Sequence, residues 1–481
     1  MIPTESFLLQ PTEGTLQSRI QQMVAEGILS GRFRPGERLP SSRALAAHLG
    51  VSRITVTLAY TELVADDYLV ARGRSGYFVS ENAPQPPDFT PAPRQSSTVD
   101  WADRLGPATP SLGLTKPHDW HNYRYSFIYG QPDPDLFDAG NWRLCALRAL
   151  GRKDFNSLSA DQFDQDDPLL VDFISRQTLP RRGILAAPDE ILLTLGAQNA
   201  LWLTAQLILR AGRRAVIETP CYPSLRSIVA STRAAHLALP VDRGGLDPDT
   251  IPRGTDVAFV TPGHQCPTTA TMPEGRRRRL LDRAEAEDML IVEDDYDFEM
   301  SVGGSAAPAL KSLDTRGRVI HVGSFSKSIF PGLRLGYLVG PPDFISAARA
   351  LRATVLRHPP GHVQRTTAYF LSLGHYDAQI RRMGRAFADR RQVMTEALIR
   401  EGLWLEGSGA HGGSSYWMRA PDGVDTAKLA HRLKAQDVLI EPGRAFFGPE
   451  DGNDRFYRLA YSSIPTGRIA EGVARIRAAM G

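Results

Sequence analysis

Cysteine is scarce. Cys145, Cys221 and Cys266 are the only three in 481 residues. They stand far apart, with no metal-ligand spacing and no disulfide framework, which fits a reducing compartment. Long apolar runs are missing, so no stretch reads as a bilayer span. The N-terminus has no basic segment followed by an apolar run, so no signal peptide is expected. These absences imply a soluble, cytoplasmic chain with no membrane partner. Net charge is only +3, too little by itself to announce nucleic acid. The first eighty residues contain no lysine at all. What is present is ordinary: 42% hydrophobic and 23% charged residues, with a length that implies two or three domains.

The N-terminal segment is helical in pattern. Leu16, Ile20, Met23 and Val24 recur at helical spacing, and Gly31 with Arg34-Pro35-Gly36 stops that helix. A second helix follows Leu39-Pro40, capped by Ser41 or Ser42, with Leu45, Ala46 and Leu49 as its inner stripe. Gly50 ends it. A third helix starts at Ser52 and runs through Ile54, Val56, Leu58, Tyr60 and Leu63. Short helix, glycine turn and second helix form a helix-turn-helix signature. Residues 68–72 and 77–79, around Gly73-Arg74-Ser75-Gly76, read as a wing hairpin. The start of the third helix would enter the major groove of double-stranded DNA, placing Ser52, Arg53 and Thr55 there. Arg43, Arg72 and Arg74 would reach phosphates or the minor groove. The plainer alternative is a small helical domain with solvated arginines, which nearby acids almost match in number.

The motifs Leu39-Pro40-Ser41-Ser42-Arg43-x-Leu45-Ala46, Leu49-Gly50-Val51-Ser52-Arg53-x-Thr55-Val56 and Ala59-Tyr60-x-x-Leu63 resemble the winged helix of the GntR superfamily of bacterial transcription regulators. The match covers residues 1–80. From 81 to 120 the composition changes to proline with Ser, Thr, Asp and Gly, including Pro84, Pro86, Pro87, Pro91, Pro93, Pro107 and Pro110. Such a stretch reads as an extended tether. An ordered surface wrap is the alternative for its second half, with Trp101, Leu105 and Leu112.

Residues 121–481 read as one large α/β domain. Apolar runs at 191–194, 215–218, 257–261, 290–293, 319–322 and 335–339 alternate with helical patterns such as 197–209 and 276–287. That alternation predicts a largely parallel sheet with ligands at the strand ends.

One lysine draws attention, in Val322-Gly323-Ser324-Phe325-Ser326-Lys327, with Arg334 seven residues on. Taken alone it reads more readily as a solvated loop lysine. Desolvated, it can form a Schiff base, and the serines with Arg334 can hold a phosphate. That pairing suits pyridoxal 5'-phosphate, PLP. Leu195-Gly196-Ala197-Gln198 opens a helix whose free amides can bind phosphate. Tyr222, in Glu218-x-Pro220-x-Tyr222-Pro223, can stack on a planar ring, and His264 or Gln265 stands at a strand tip. Glu293-Asp294-Asp295-Tyr296-Asp297 reads as a metal or acid site, or as the partner of a pyridinium nitrogen. No further ligands at metal spacing accompany it, so no metal is expected.

In this order the motifs resemble the type I aminotransferase fold. The resemblance implies that Lys327 is the internal aldimine lysine, Asp294 pairs with the ring nitrogen, Tyr296 bonds the ring hydroxyl and Tyr222 stacks on the ring. It places His264 beside the cofactor and Gly196, Ala197, Ser324, Ser326 and Arg334 at its phosphate. Arg458, in the strand-like Phe456-Tyr457-Arg458-Leu459-Ala460-Tyr461, would hold the acidic end of a ligand, with Arg226 as a second contact; the alternative for Arg458 is a strand-edge salt bridge.

Winged helix, proline-rich tether and this fold together resemble the MocR/GabR subfamily of GntR regulators, with a likeness to taurine regulators in the second half. The resemblance implies a homodimer, domain-swapped head to tail. Its effector would be a small amino compound, an amino acid or amino sulfonate, that forms an external aldimine at Lys327 and alters DNA binding. The rival is a working aminotransferase with an accessory DNA-binding domain. Two departures stand out: Asp166-Asp167-Pro168-Leu169-Leu170 where many members have Gly then Leu-Arg near the ligand entrance, and Pro267-Thr268-Thr269 where they have Pro-Thr-Gly.

Overall fold

A computed structural model describes residues 1–9, 14–84, 99–105, 116–131, 133–297, 308–407, 413–449, 451 and 453–481, with the backbone alone of Arg74. The chain divides into two compact units, Met1–Gly106 and Pro107–Gly481. Most of the proline-rich stretch, including Pro86, Pro87, Pro91, Pro93, Pro107, Pro110 and Leu112, lies outside the described residues. Between its two parts a one-turn helix, Trp101–Arg104, leaves Trp101 and Leu105 exposed. Among the described residues no helix is long and apolar enough to cross a membrane.

The first unit holds helices Leu16–Leu29, Ser42–Leu49 and Arg53–Ala65, then strands Leu69–Ala71 and Tyr77–Val79 paired antiparallel. Local chemistry sets each boundary. Ser41, not Ser42, caps the second helix: its Oγ accepts the Ala44 N–H at 3.1 Å. Gly50 closes that helix at φ +65°, where an L side chain is disfavoured. Ser52 caps the third helix through the N–H groups of Ile54 and Thr55. Ile20, Val24, Leu45, Val56, Tyr60 and Leu63 form the core. Three residues expected on inner stripes face solvent instead. Leu16 precedes the packed turns of its helix, and Ile54, 72% exposed, and Leu58 lie on the outer side of the third helix. The core needs only one stripe from that helix, and Val56, Ala59, Tyr60 and Leu63 supply it.

The second unit is built on an eight-stranded sheet. Its order is Ile191–Thr194, Gly336–Val339, Val319–Ser324, Leu290–Asp295, Val257–Val260, Arg214–Thr219, Ala235–Asp242, Gly245–Leu246. The middle strands are parallel. Side chains alternate between two apolar layers. Ala215, Ile217, Val257, Phe259 and Val292 join the layer under helix Gly196–Ile208, while Val216, Ala258, Val260 and Ile291 join the layer under helix Glu274–Ala286. Each valine, isoleucine or phenylalanine among them contributes about 1.5–3 kcal/mol by burial.

Two strands depart from the parallel expectation. The short edge strand Gly245–Leu246 turns back antiparallel on Ala235–Asp242, and a second one bears on the site. Gly336–Val339 runs antiparallel to both its neighbours. Only residues 325–335 separate it from Val319–Ser324, too few for the helical crossover a parallel pair needs. The lysine loop is therefore a hairpin connection. A second, four-stranded antiparallel sheet, Trp404–Leu405, Ser415–Arg419, Phe456–Ala460 and Glu441–Pro442, packs with helices His375–Arg400 and Thr466–Met480.

Candidate cofactor and ligand site

The strand ends and the lysine loop enclose a cavity of about 240 Å³. Asp294, Lys327, Tyr222, Tyr296, Ser324 and Ser326 line it, together with Ala197, Arg334 and Arg458.

The acidic run resolves into four separate tasks. Glu293 accepts the N–H groups of Leu310 at 2.6 Å and Lys311 at 3.0 Å and faces His321 Nδ1 at 3.0 Å. Burial would push its carboxyl up, but these partners outweigh it and hold it low. Asp295 takes both ends of the buried Arg182 guanidinium, at 2.7 and 3.0 Å. Asp297 accepts the Tyr129 hydroxyl at 3.0 Å. Asp294 is different: its Oδ1 is buried with no hydrogen-bond partner among the described residues. Burial, aided by Asp295, Glu218 and Glu293, pushes its carboxyl up to about 7. A buried oxygen without a donor is costly, and a ligand N–H entering the cavity would satisfy it. Among the described residues no group of three or more acids, histidines and cysteines is placed to hold a metal.

Lys327 sits with its Nζ 4.3 Å from the centre of the Tyr129 ring. Burial, then the nearby Lys116 and Arg458, lower its ammonium to about 8 against the pull of Asp297 and Glu441. A lysine so lowered is partly neutral near physiological pH and can attack a carbonyl. Gly130, at φ +70°, makes room for it, since a Cβ there would lie 2.1 Å from Nζ.

The opposite end suits a phosphate. Gly196 begins its helix at φ +76°, and Arg334 lies against it. Arg334 donates only to the Leu195 carbonyl, at 3.3 Å, and has no acidic partner among the described residues. Ser324 Oγ accepts the Ser326 N–H, and Ser326 Oγ is buried without a partner among the described residues. Tyr222 stands at the wall, its hydroxyl donating to Gln198 Oε1 at 3.1 Å. Free amides, a hydroxyl and an unpaired arginine together form an anion cradle.

Arg458 lines the cavity and is also ion-paired. Its Nε donates to Glu441 Oε2 at 2.8 Å, across neighbouring strands, so the salt bridge foreseen as an alternative is present. Its Nη groups have no hydrogen-bond partner among the described residues, and the guanidinium lies 4.2 Å from the Tyr129 ring centre.

Three expected residues fall outside the lining: Arg226, His264 and Gly196, the last of which lies behind Arg334. Arg226 spends its guanidinium on the carbonyls of Phe446 and Phe447, holding that loop rather than a ligand. His264 stands edge-on to Tyr296 at 6.3 Å; burial pushes it down to about 4 and keeps it neutral. The Asp166-Asp167 departure is also away from the cavity. Asp166 binds Arg349 and Arg352, and Asp167 caps helix Pro168–Phe173 and pairs with Arg365. Thr269 occupies φ +62°, the left-handed region that glycine tolerates best. Sequence reasoning gave no role to Tyr129, Asp297, Lys116, Glu441 or Gln198. Asp297 and Gln198 stood inside motifs already noticed; Tyr129, Lys116 and Glu441 carry no local signal.

On the first unit, Arg43, Arg53 and Arg72 are exposed and Thr55 is half-buried. Arg53 Nε reaches Ser42 Oγ at 3.5 Å, and Arg72 lies over the Phe78 ring at 4.8 Å. Ser52 Oγ serves as the cap. The side chain of Arg74 lies outside the description.

A winged helix joined to an aminotransferase-type α/β domain defines a fused regulator. The comparisons with known proteins agree. The bacterial regulatory proteins of the gntR family match residues 16–79, and the aminotransferase class I and II family matches residues 169–476. The chain is 60% identical to the HTH-type transcriptional regulator TauR of Rhodobacter capsulatus, over 100% of this chain and 99% of that one. It is 32% identical to the probable rhizopine catabolism regulatory protein MocR of Rhizobium meliloti, over 96% of this chain and 93% of that one. Among solved structures it resembles LysN, an α-aminoadipate aminotransferase from Thermus thermophilus complexed with N-(5'-phosphopyridoxyl)-L-leucine. The TM-score is 0.71 and the identity 26%, over 79% of this chain and 98% of that one. The chain belongs to the MocR-type GntR family of HTH-type transcriptional regulators.

Proposed function

We propose that the large unit binds PLP at Lys327 and senses a small primary amine with an acidic end, an amino acid or a taurine-like amino sulfonate. The observation that carries this reading is the partnerless buried oxygen of Asp294 in the same cavity as Lys327. When bound, the cofactor supplies an aldehyde carbon that condenses with primary amines. Asp294 accepts the ring N–H and, as a carboxylate, keeps that nitrogen protonated. Tyr296 bonds the ring hydroxyl and Tyr222 covers a ring face. Gly196, Ala197, Ser324, Ser326 and Arg334 hold the phosphate. Lys327 gives up its place to the amine of the effector, and Arg458 receives the acidic end. The released ammonium faces Asp297 and the Tyr129 ring. The protein acts as a homodimer whose winged helices read paired half-sites. An effector shifts DNA binding only through different affinity for two arrangements of the protein.

Arg53→Ala is expected to weaken binding by about 1–3 kcal/mol, measured by fluorescence anisotropy on DNA selected by the wild-type chain from a random duplex pool. Unchanged affinity would remove Arg53 from the DNA face.

The second reading is a working aminotransferase. In its favour, every group needed for amine exchange lines one cavity, and the solved relatives are aminotransferases. Incubation with taurine, γ-aminobutyrate or D-alanine plus an oxo acid separates the two. A sensor gives a lasting change in absorbance and at most one equivalent of product per chain. Repeated turnover would make the chain an enzyme.

A further inference from the structure

The acidic end of the cavity holds more positive charge than Arg458 alone. Lys116 also lines it, with its side chain 29% exposed. Its Nζ donates to the Tyr129 carbonyl and lies 3.5 Å from Glu441 Oε1. Glu441 Oε2 takes the Arg458 Nε at 2.8 Å and the Tyr129 N–H at 3.2 Å. Lys116 and Arg458 therefore share one buried carboxylate, and Asp297, on the Tyr129 hydroxyl, faces Lys327; three cations against these two acids leave one positive charge unmatched beside the Tyr129 ring. Buried charges are normally paired, so this excess is a place for an anion.

The geometry of the donors says which anion. With Nε committed to Glu441, the two Nη groups of Arg458 present a planar fork, which two oxygens of a carboxylate satisfy. The Lys116 ammonium adds a donor from a different segment, with one N–H beyond those directed to Tyr129 and Glu441. Three oxygens around one centre use both groups; two oxygens leave one donor idle.

We propose that Lys116 is a specificity-determining residue that, with Arg458, selects a sulfonate over a carboxylate at the acidic end of the effector. This rests on the reading of the cavity as the effector site. Glu441 is the positioning residue that holds the two cations a short distance apart without neutralising both.

The test uses the full PLP-loaded chain and two ligands of equal length, taurine and β-alanine, titrated by the change in cofactor absorbance. Lys116→Met is expected to lower the taurine-over-β-alanine affinity ratio roughly ten- to hundredfold, the worth of one charge-assisted hydrogen bond. Lys116→Arg, which keeps the charge, is expected to hold the ratio within about threefold of wild type. A ratio unmoved by Lys116→Met overturns the proposal, whether both ligands weaken equally or neither does. A wild-type chain that prefers β-alanine overturns it too. If the wild-type chain shows no PLP absorbance, the failure lies with the Lys327 reading. The same variants are then compared by calorimetry with amine-free ethanesulfonate and propionate, and the same change of ratio decides.

Discussion

Lys327→Ala, purified in the presence of PLP, is expected to lack the absorbance of a lysine-bound cofactor altogether. Its DNA binding is expected to stop responding to amines, while its affinity for DNA without effector stays close to that of wild type. The two halves of this outcome have separate causes. On the proposed reading Lys327 supplies the amine that fixes the cofactor, and among the described residues no other lysine lines the cavity except Lys116, which is engaged with Glu441 and the Tyr129 carbonyl. The winged helix has its own core of Ile20, Val24, Val56, Tyr60 and neighbours, which the substitution does not touch. The pH dependence sharpens the test. A solvated lysine becomes nucleophilic only near its ordinary value of 10.5, but burial brings Lys327 down to about 8. The rate at which the empty wild-type chain takes up PLP should therefore rise with pH and level off a little above 8. A rate still climbing near pH 10 would describe an exposed lysine and sink the reading.

The sequence shows the chemistry more readily than the wiring. Lys327, Asp294 and the helix at Gly196 stand in short motifs at strand ends, and their residue types alone limit what they do. The run of acids at 293–297 shows the difference. Four carboxylates are visible, yet which one is left for a ligand depends on Arg182, His321 and Tyr129, which come from distant parts of the chain. Glu441 gives less warning still. It sits in a two-residue strand, Glu441–Pro442, and meets Arg458 only because the register of the small sheet sets them opposite. Lys116 follows a segment outside the described residues and has no pattern of its own. Ile54 and Leu58 fit a helical stripe but face solvent, because periodicity fixes a face and not how wide the core behind it is. The antiparallel strand Gly336–Val339 was the opposite case: its short preceding loop excludes a crossover, so loop length alone carries the information.

Asp294→Asn is expected to act with opposite sign on the empty and the loaded protein. In the empty fold, burial and neighbouring acids hold the Asp294 carboxyl up at about 7, against 3.8 for the free group. A carboxyl raised by folding gives its full stability below the lower of those two values. It loses that stability as pH climbs toward the upper one, because the unfolded chain ionises first. The empty wild-type fold is thus penalised progressively between pH 3.8 and about 7, and by a constant amount above. Asparagine carries no such penalty. Without cofactor the variant should be more stable than wild type by on the order of 2–4 kcal/mol at pH 8, and by less at pH 5.5. Asp297, which burial also pushes up, is present in both chains and cancels in the difference; Glu218, which repels Asp294, ionises more easily in the variant and adds to the effect with the same sign. In the loaded protein the balance reverses. The carboxylate that was a burden now accepts a charged ring N–H, and an amide oxygen replaces it poorly. Affinity for PLP should fall roughly ten- to hundredfold, the worth of one charge-assisted hydrogen bond. Urea unfolding of both chains at the two pH values, with and without PLP, reads both effects. A stability difference that does not change with pH, or a variant that binds PLP as tightly as wild type, would take Asp294 out of the site. A residue that weakens its own fold until its ligand arrives ties stability to occupancy, and that link serves the sensing role proposed above.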